Sequence, residues 1–122
     1  MLLAVCGTTF TSRSGTIHSP NYPSNYANDV DCTSTVRGSP GEVIRVTFTD
    51  FNLESSSTCR YDYVELFDGP VATRKDCGSS TPGDFVTSPG NDLRLDFHSD
   101  YSVTRKGFQV SFSFEGKLKL NR

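Results

Sequence analysis

Along three separate runs of this chain apolar residues alternate with polar ones, and no run of eleven residues carries a helical period. Ile44, Val46 and Phe48 alternate with Arg45, Thr47 and Thr49. Leu93, Leu95 and Phe97 do the same within residues 92–98, and Phe108, Val110, Phe112 and Phe114 within residues 107–115. A period of two gives each strand one dry face and one wet face. Shorter strands are expected over residues 15–18, 31–37 and 61–67, the last with Val64 and Leu66 on one face. Turn signals separate them: Ser19-Pro20-Asn21-Tyr22-Pro23, Gly38-Ser39-Pro40-Gly41 and Asp68-Gly69-Pro70, with loops over residues 52–58 and 79–83. Strands with one apolar face each must stack face to face to bury it. The expected fold class is therefore all-β, an antiparallel β-sandwich of two sheets.

At 122 residues the chain has the size of one domain. Residues 6–115 are expected to form it, with residues 1–5 as an N-terminal remnant, too short for a complete signal peptide. Residues 116–122 are expected to be a tail or linker, because their charge breaks the core pattern. Twelve Lys and Arg against fourteen Asp and Glu leave a net charge of −2, with the cations scattered. That excludes the basic stripe of a nucleic-acid binder. No stretch is long and apolar enough to insert into a membrane. Four cysteines, Cys6, Cys32, Cys59 and Cys77, point to two disulfides and an oxidising compartment, and their spacing leaves three pairings open. With no C-x-x-C pair, a zinc knuckle does not fit. A secreted module, or one from the extracellular part of a membrane protein, fits best.

Three carboxylates, Glu54, Asp62 and Asp100, stand at the ends of strand-like runs. If the fold gathers those ends, like charges a few ångströms apart repel. A divalent cation resolves the conflict, and calcium suits carboxylate and backbone oxygens in irregular geometry. Each residue also has a plainer reading: Glu54 as a solvated loop residue, Asp62 as a turn acceptor, Asp100 as a loop cap. Catalysis is not expected. His98, Ser99 and Asp100 are adjacent in sequence, where neighbours on a strand point to opposite faces, and no G-x-S-x-G, H-E-x-x-H or phosphate loop occurs.

In order, Cys6-Gly7, Gly15-Thr16-Ile17, Ser19-Pro20-Asn21-Tyr22-Pro23, Tyr26, Cys32, residues 48–54, Cys59-Arg60-Tyr61-Asp62-Tyr63-Val64-Glu65-Leu66, Asp68-Gly69, Cys77-Gly78, residues 91–97, Ser99-Asp100 and Gly107-Phe108 resemble the CUB domain family. The resemblance implies about ten strands in a sandwich of jelly-roll type and the pairings Cys6–Cys32 and Cys59–Cys77. It implies a calcium site held by Glu54, Asp62, Asp100 and a backbone carbonyl of Ser102 or Val103, supported by Tyr26. It also implies an extracellular protein partner whose lysine meets Glu54, Asp62 and Asp100; Tyr101, next in sequence, would either flank that contact or pack on its own turn. One departure concerns Ser34: the family usually has an aromatic residue there, and this chain has no Trp. Two other functions stay open. Arg74, Lys75, Arg105 and Lys106 would suit a sulfated carbohydrate or glycosaminoglycan, and calcium would serve rigidity alone in a structural spacer.

Overall fold

The structure is a computed structural model that describes residues 3–116. Its strands are β1 (Leu3–Val5), β2 (Thr9–Phe10), β3 (Ser14–His18), β4 (Asp31–Val36), β5 (Glu42–Asn52), β6 (Tyr63–Asp68), β7 (Val71–Asp76), β8 (Phe85–Val86), β9 (Leu93–His98) and β10 (Gly107–Gly116). They form two five-stranded sheets, ordered β1-β3-β10-β5-β8 and β2-β4-β9-β6-β7. The strong alternating runs become the central strands β5, β9 and β10. The expected sandwich is therefore present, with one refinement: β1 pairs with β3, and β2 with β4, in parallel.

Four elements escape the periodicity, for physical reasons. β2 and β8 have two residues each, too few to show a period. β7 lies at a sheet edge and is largely exposed, so no apolar alternation marks it. β1 falls within the five residues set aside as a remnant; Leu3, Ala4 and Val5 take their register from Thr16, Ile17 and His18. Gly116, assigned to the tail, is the last residue of β10. The remainder of that expected tail, like Met1 and Leu2, lies outside the described residues.

The two inner faces carry the core. Ile17, Ile44, Val46, Phe108, Val110 and Phe112 from one sheet meet Val36, Val64, Leu66, Leu93, Leu95 and Phe97 from the other, all buried. Edge-to-face aromatic pairs cross between the layers: Phe10 with Phe112 at 5.2 Å, and Phe97 with Phe108 at 5.3 Å. Each such side chain contributes about 1.5–3 kcal/mol by leaving water. Ser34 stands among them, 1% exposed. Its Oγ accepts the Gly7 N–H at 2.9 Å, so the buried hydroxyl is satisfied and the chain entering from Cys6 is fixed. The disulfides are Cys6–Cys32 and Cys59–Cys77, as the resemblance implied.

One irregularity decides which way the end of β5 faces. β5 and β10 pair regularly until Val110 faces Phe48, but Gln109 faces Asp50, leaving Thr49 as the extra residue of a β-bulge. Strict alternation from Ile44, Val46 and Phe48 would send Asp50 into the core. The bulge turns Asp50 outward instead and points Phe51 inward, followed by Leu53, both buried. Thr49 then caps the irregularity by donating to the Gln109 carbonyl at 3.1 Å.

The long exposed edge, β7, is blunted. A register shift interrupts its pairing with β6, and the Thr73 hydroxyl donates to the Val71 carbonyl at 3.0 Å. Arg74 closes the seam beside it. Its guanidinium bonds Asp76 at 2.9 Å and the Gly83 carbonyl at 2.8 Å, and lies near the rings of Phe48 and Phe85.

Candidate metal centre

Each of the three carboxylates sits just outside a strand. Glu54 follows the end of β5 at Asn52, Asp62 precedes β6 at Tyr63, and Asp100 follows the end of β9 at His98. Because β6 and β9 are antiparallel neighbours with Tyr63 opposite His98, Asp62 and Asp100 share one pole of the sandwich. The backbone N–H of Asp100 donates to Asp62 Oδ1 at 2.9 Å. Glu54 arrives from the other sheet: the Leu53 N–H bonds the Gly78 carbonyl at 2.8 Å, and the Cys59–Cys77 bridge ties the intervening loop to the same segment.

Tyr26 joins the parts. It is 1% exposed and packs edge-to-face on Phe97 at 5.1 Å. Its hydroxyl donates to Asp62 Oδ2 at 2.6 Å and accepts the Glu54 N–H at 3.2 Å. Burial and the bond to Asp62 drive its phenol pKa far upward, so it stays a donor. Both oxygens of the fully buried Asp62 are thus fixed by protein donors.

One carboxylate oxygen from each of Glu54, Asp62 and Asp100 lies within 4.8 Å of the others. No ion pair among the described residues involves any of the three. Glu54 Oε1 is buried without a hydrogen-bond partner. Burial and the charges of Asp62 and Asp100 raise the Glu54 pKa, opposed only by Arg105. Burial raises that of Asp62 against the bonds it accepts from Tyr26 and Asp100. The cluster is an electrostatically frustrated cup of hard oxygens, in which Asp62 and Asp100 also accept backbone N–H groups of the loop after β9.

The neighbouring loop belongs to the same pole. The Ser102 N–H approaches Asp100 Oδ1 at 3.3 Å, and Val103 holds φ +61°, a left-handed conformation unfavourable for a β-branched residue. Tyr101 does not pack on its own turn; at 77% exposure it projects into solvent. His98 stands apart, paired to Asp31 at 2.6 Å and stacked on Tyr63. The four basic residues do not form a patch. Arg74 bonds Asp76, Lys75 lies over the Tyr63 ring, Lys106 pairs with Asp50, and Arg105 stands alone at the carboxylate pole. A groove of about 460 Å³ lies at the other end of β6 and β9, lined by Thr35, Pro70, Asn91, Asp92 and Arg94. Its charges are consumed locally, Arg94 by Asp96 and Asp92 by the Gly38 N–H and Arg37.

A two-sheet sandwich closed by two disulfides, with an acidic cup at one pole, is the architecture of an extracellular module. The sequence profile described as the CUB domain matches residues 6–112, and the chain belongs to that family. It is 41% identical to Tolloid-like protein 2 of Mus musculus over 123 residues, spanning 95% of this chain and 12% of that protein. It is similar to the full extracellular region of zebrafish Gpr126/Adgrg6, with a TM-score of 0.83 and 33% identity over 91% of this chain and 15% of the other. It is also similar to the MASP-1 CUB2 domain bound to Ca2+, with a TM-score of 0.80 and 30% identity over 88% of this chain and 98% of that one.

Proposed function

We propose that this chain is a calcium-dependent protein-binding module whose acidic pole accepts a basic side chain of an extracellular partner. The observation that carries the reading is the buried, unpartnered Glu54 Oε1 beside the carboxylates of Asp62 and Asp100, none of which forms an ion pair among the described residues. Glu54, Asp62, Asp100 and a carbonyl of Ser102 or Val103 would hold the ion, and Tyr26 would orient Asp62. Oxygen donors without His or Cys suit calcium over zinc. The calcium-bound MASP-1 relative supports the same assignment.

Bound calcium neutralises the mutual repulsion and braces the 53–62 loop against the 100–106 loop. Oxygens so fixed keep outward lone pairs that a lysine ammonium, a compact donor, can reach. Tyr101 offers an exposed aromatic face beside them. The test is an immobilised domain probed with a lysine-containing peptide and its acetylated counterpart, in calcium and in chelator. Retention is expected only for the free lysine in calcium. Equal retention of the acetylated peptide would reject the lysine contact while leaving the metal site standing. The sulfated-carbohydrate reading has no comparable support, since its four cations are dispersed.

Calcium affinity should fall with pH. Glu54 and Asp62 have pKa values raised above their ordinary 4.5 and 3.8, so they hold protons at a pH where free carboxyls are ionised. Those protons must leave before an ion enters. Affinity is complete above the raised values and declines as pH falls through them toward the ordinary ones. In the metal-free domain these two groups contribute with the reverse sign: their raised pKa values mean that the folded state binds more protons there, so acidification through the same window relieves the instability they cause, while the lowered carboxyls of Glu42, Asp50, Asp68 and Glu115 act in the opposite sense. Calorimetric titrations at near-neutral and mildly acidic pH would show the loss, with proton release on binding; a pH-independent dissociation constant would contradict it.

A further inference from the structure

Asp50 Oδ2 accepts the Tyr22 hydroxyl at 2.6 Å and lies 2.7 Å from Lys106 Nζ. The Lys106 ammonium also sits 5.6 Å from the Tyr22 ring centre. Three chain segments therefore meet on the outer face of one sheet. Each continues within a few residues into a segment of the acidic pole: Tyr22 leads to Tyr26, Asp50 to Glu54, and Lys106 closes the loop that starts at Asp100. The bulge at Thr49 exists at that point, and it is the device that turns Asp50 outward to make the junction.

We propose that Asp50, Tyr22 and Lys106 are positioning residues for the metal centre, a clamp that sets the spacing of the carboxylates without touching the ion. The proposal rests on the calcium reading. The clamp's own hydrogen bonds account for its electrostatics: those from Lys106 and then Tyr22 lower the Asp50 pKa, and the Asp50 bond pushes that of Tyr22 up to about 12. Asp62 holds the loop at its start through the Asp100 N–H, and its anchors toward the far end are otherwise backbone or neutral. The Tyr26 N–H donates to the Arg105 carbonyl at 3.0 Å and Asn25 Nδ2 to Thr104 Oγ1 at 3.3 Å. Lys106 supplies the only salt bridge that ties the loop down among the described residues.

Lys106→Gln makes the test sharp, because the two effects have opposite signs. Removing a positive charge near an acidic pole tightens calcium by Coulomb's law alone. Losing the clamp weakens it. Calorimetric titration of the folded domain should show the dissociation constant raised about 3- to 10-fold, at or below the range for direct ligand supports. Tyr22→Phe, which changes no charge, should weaken binding in the same direction, and Lys106→Arg should restore most of the affinity. Lys75→Gln, the same charge change on β7, should not weaken it. Unchanged or tighter binding in Lys106→Gln overturns the clamp. Amide hydrogen exchange in chelator separates this failure from failure of the calcium reading. Residues 100–106 should exchange faster in Lys106→Gln and Tyr22→Phe, with β9 unaffected. If the wild type binds no calcium, the metal assignment falls and exchange alone decides whether the clamp holds the loop; unchanged exchange overturns it.

Discussion

Asp62→Asn is expected to abolish the calcium-dependent rise in melting temperature. In the wild type, an extracellular site with a dissociation constant of about 0.1–1 mM gains roughly 1.4–2.7 kcal/mol at about 10 mM calcium. For a domain of this size that is a rise of roughly 5–12 °C. Asp62 is the centre of the cluster: it is fully buried, it is held by Tyr26 and by the Asp100 N–H, and it shares the cup with Glu54. Asparagine preserves the shape and one acceptor, and removes the charge that the ion requires. It also relieves the repulsion on Glu54, so the variant in chelator should melt no lower than metal-free wild type by more than a few degrees. The measurement in chelator separates loss of a ligand from loss of the fold. A calcium response in Asp62→Asn equal to that of the wild type would remove the basis of the metal assignment.

Gly107→Ala should be strongly destabilising. Gly107 opens β10 with φ +103°, where a side chain is strained. An added Cβ would collide with Ser19 Oγ and come within 3.5 Å of the Tyr26 ring. Ser19 is fully buried, and its Oγ accepts the Phe108 N–H at 3.0 Å. Displacing it strands a buried donor as well as straining the backbone. Together these cost about 3–5 kcal/mol, a drop of roughly 10–25 °C by calorimetry. Gly83→Ala is the control. Gly83 has an ordinary φ and nothing within 4 Å of its Cβ position, so it should stay within about 0.5 kcal/mol of wild type. A Gly107→Ala variant melting like the control would show that the turn yields where the packing says it does not.

Both effects converge on one pole, and that pole is only partly legible in the amino-acid order. Glu54, Asp62 and Asp100 are identifiable there as hard-oxygen candidates, and the resemblance to CUB domains singles out Tyr26. The hydrogen bonds of Tyr26 to both Asp62 and Glu54 are consistent with a supporting role. Asp50, Tyr22 and Lys106 are not identifiable in the same way. Asp50 sits in a strand whose period places it inside, and only the bulge reverses it. A signal is present: Phe48 and Phe51, three residues apart and packed against each other at 5.4 Å, break the alternation at that step. In sequence the basic residues suggest an anionic-ligand surface, but strand pairing disperses Arg74 and Lys75 to β7 and draws Lys106 to Asp50. Ser34 looks like a weakness in the core and proves to be a satisfied polar contact with Gly7.

Side-chain periodicity is a local property, so the order of residues is enough to establish strands, their dry faces and a two-layer sandwich, and cysteine usage is enough to establish an oxidising compartment. Which strand ends lie together is a non-local property. Asp62 and Asp100 stand thirty-eight residues apart, and nothing in that interval specifies their contact. It follows from the register of Tyr63 on His98, just as the outward turn of Asp50 follows from one bulged threonine in β5. A single-residue slip would turn every side chain over, and only the packed sheets exclude it.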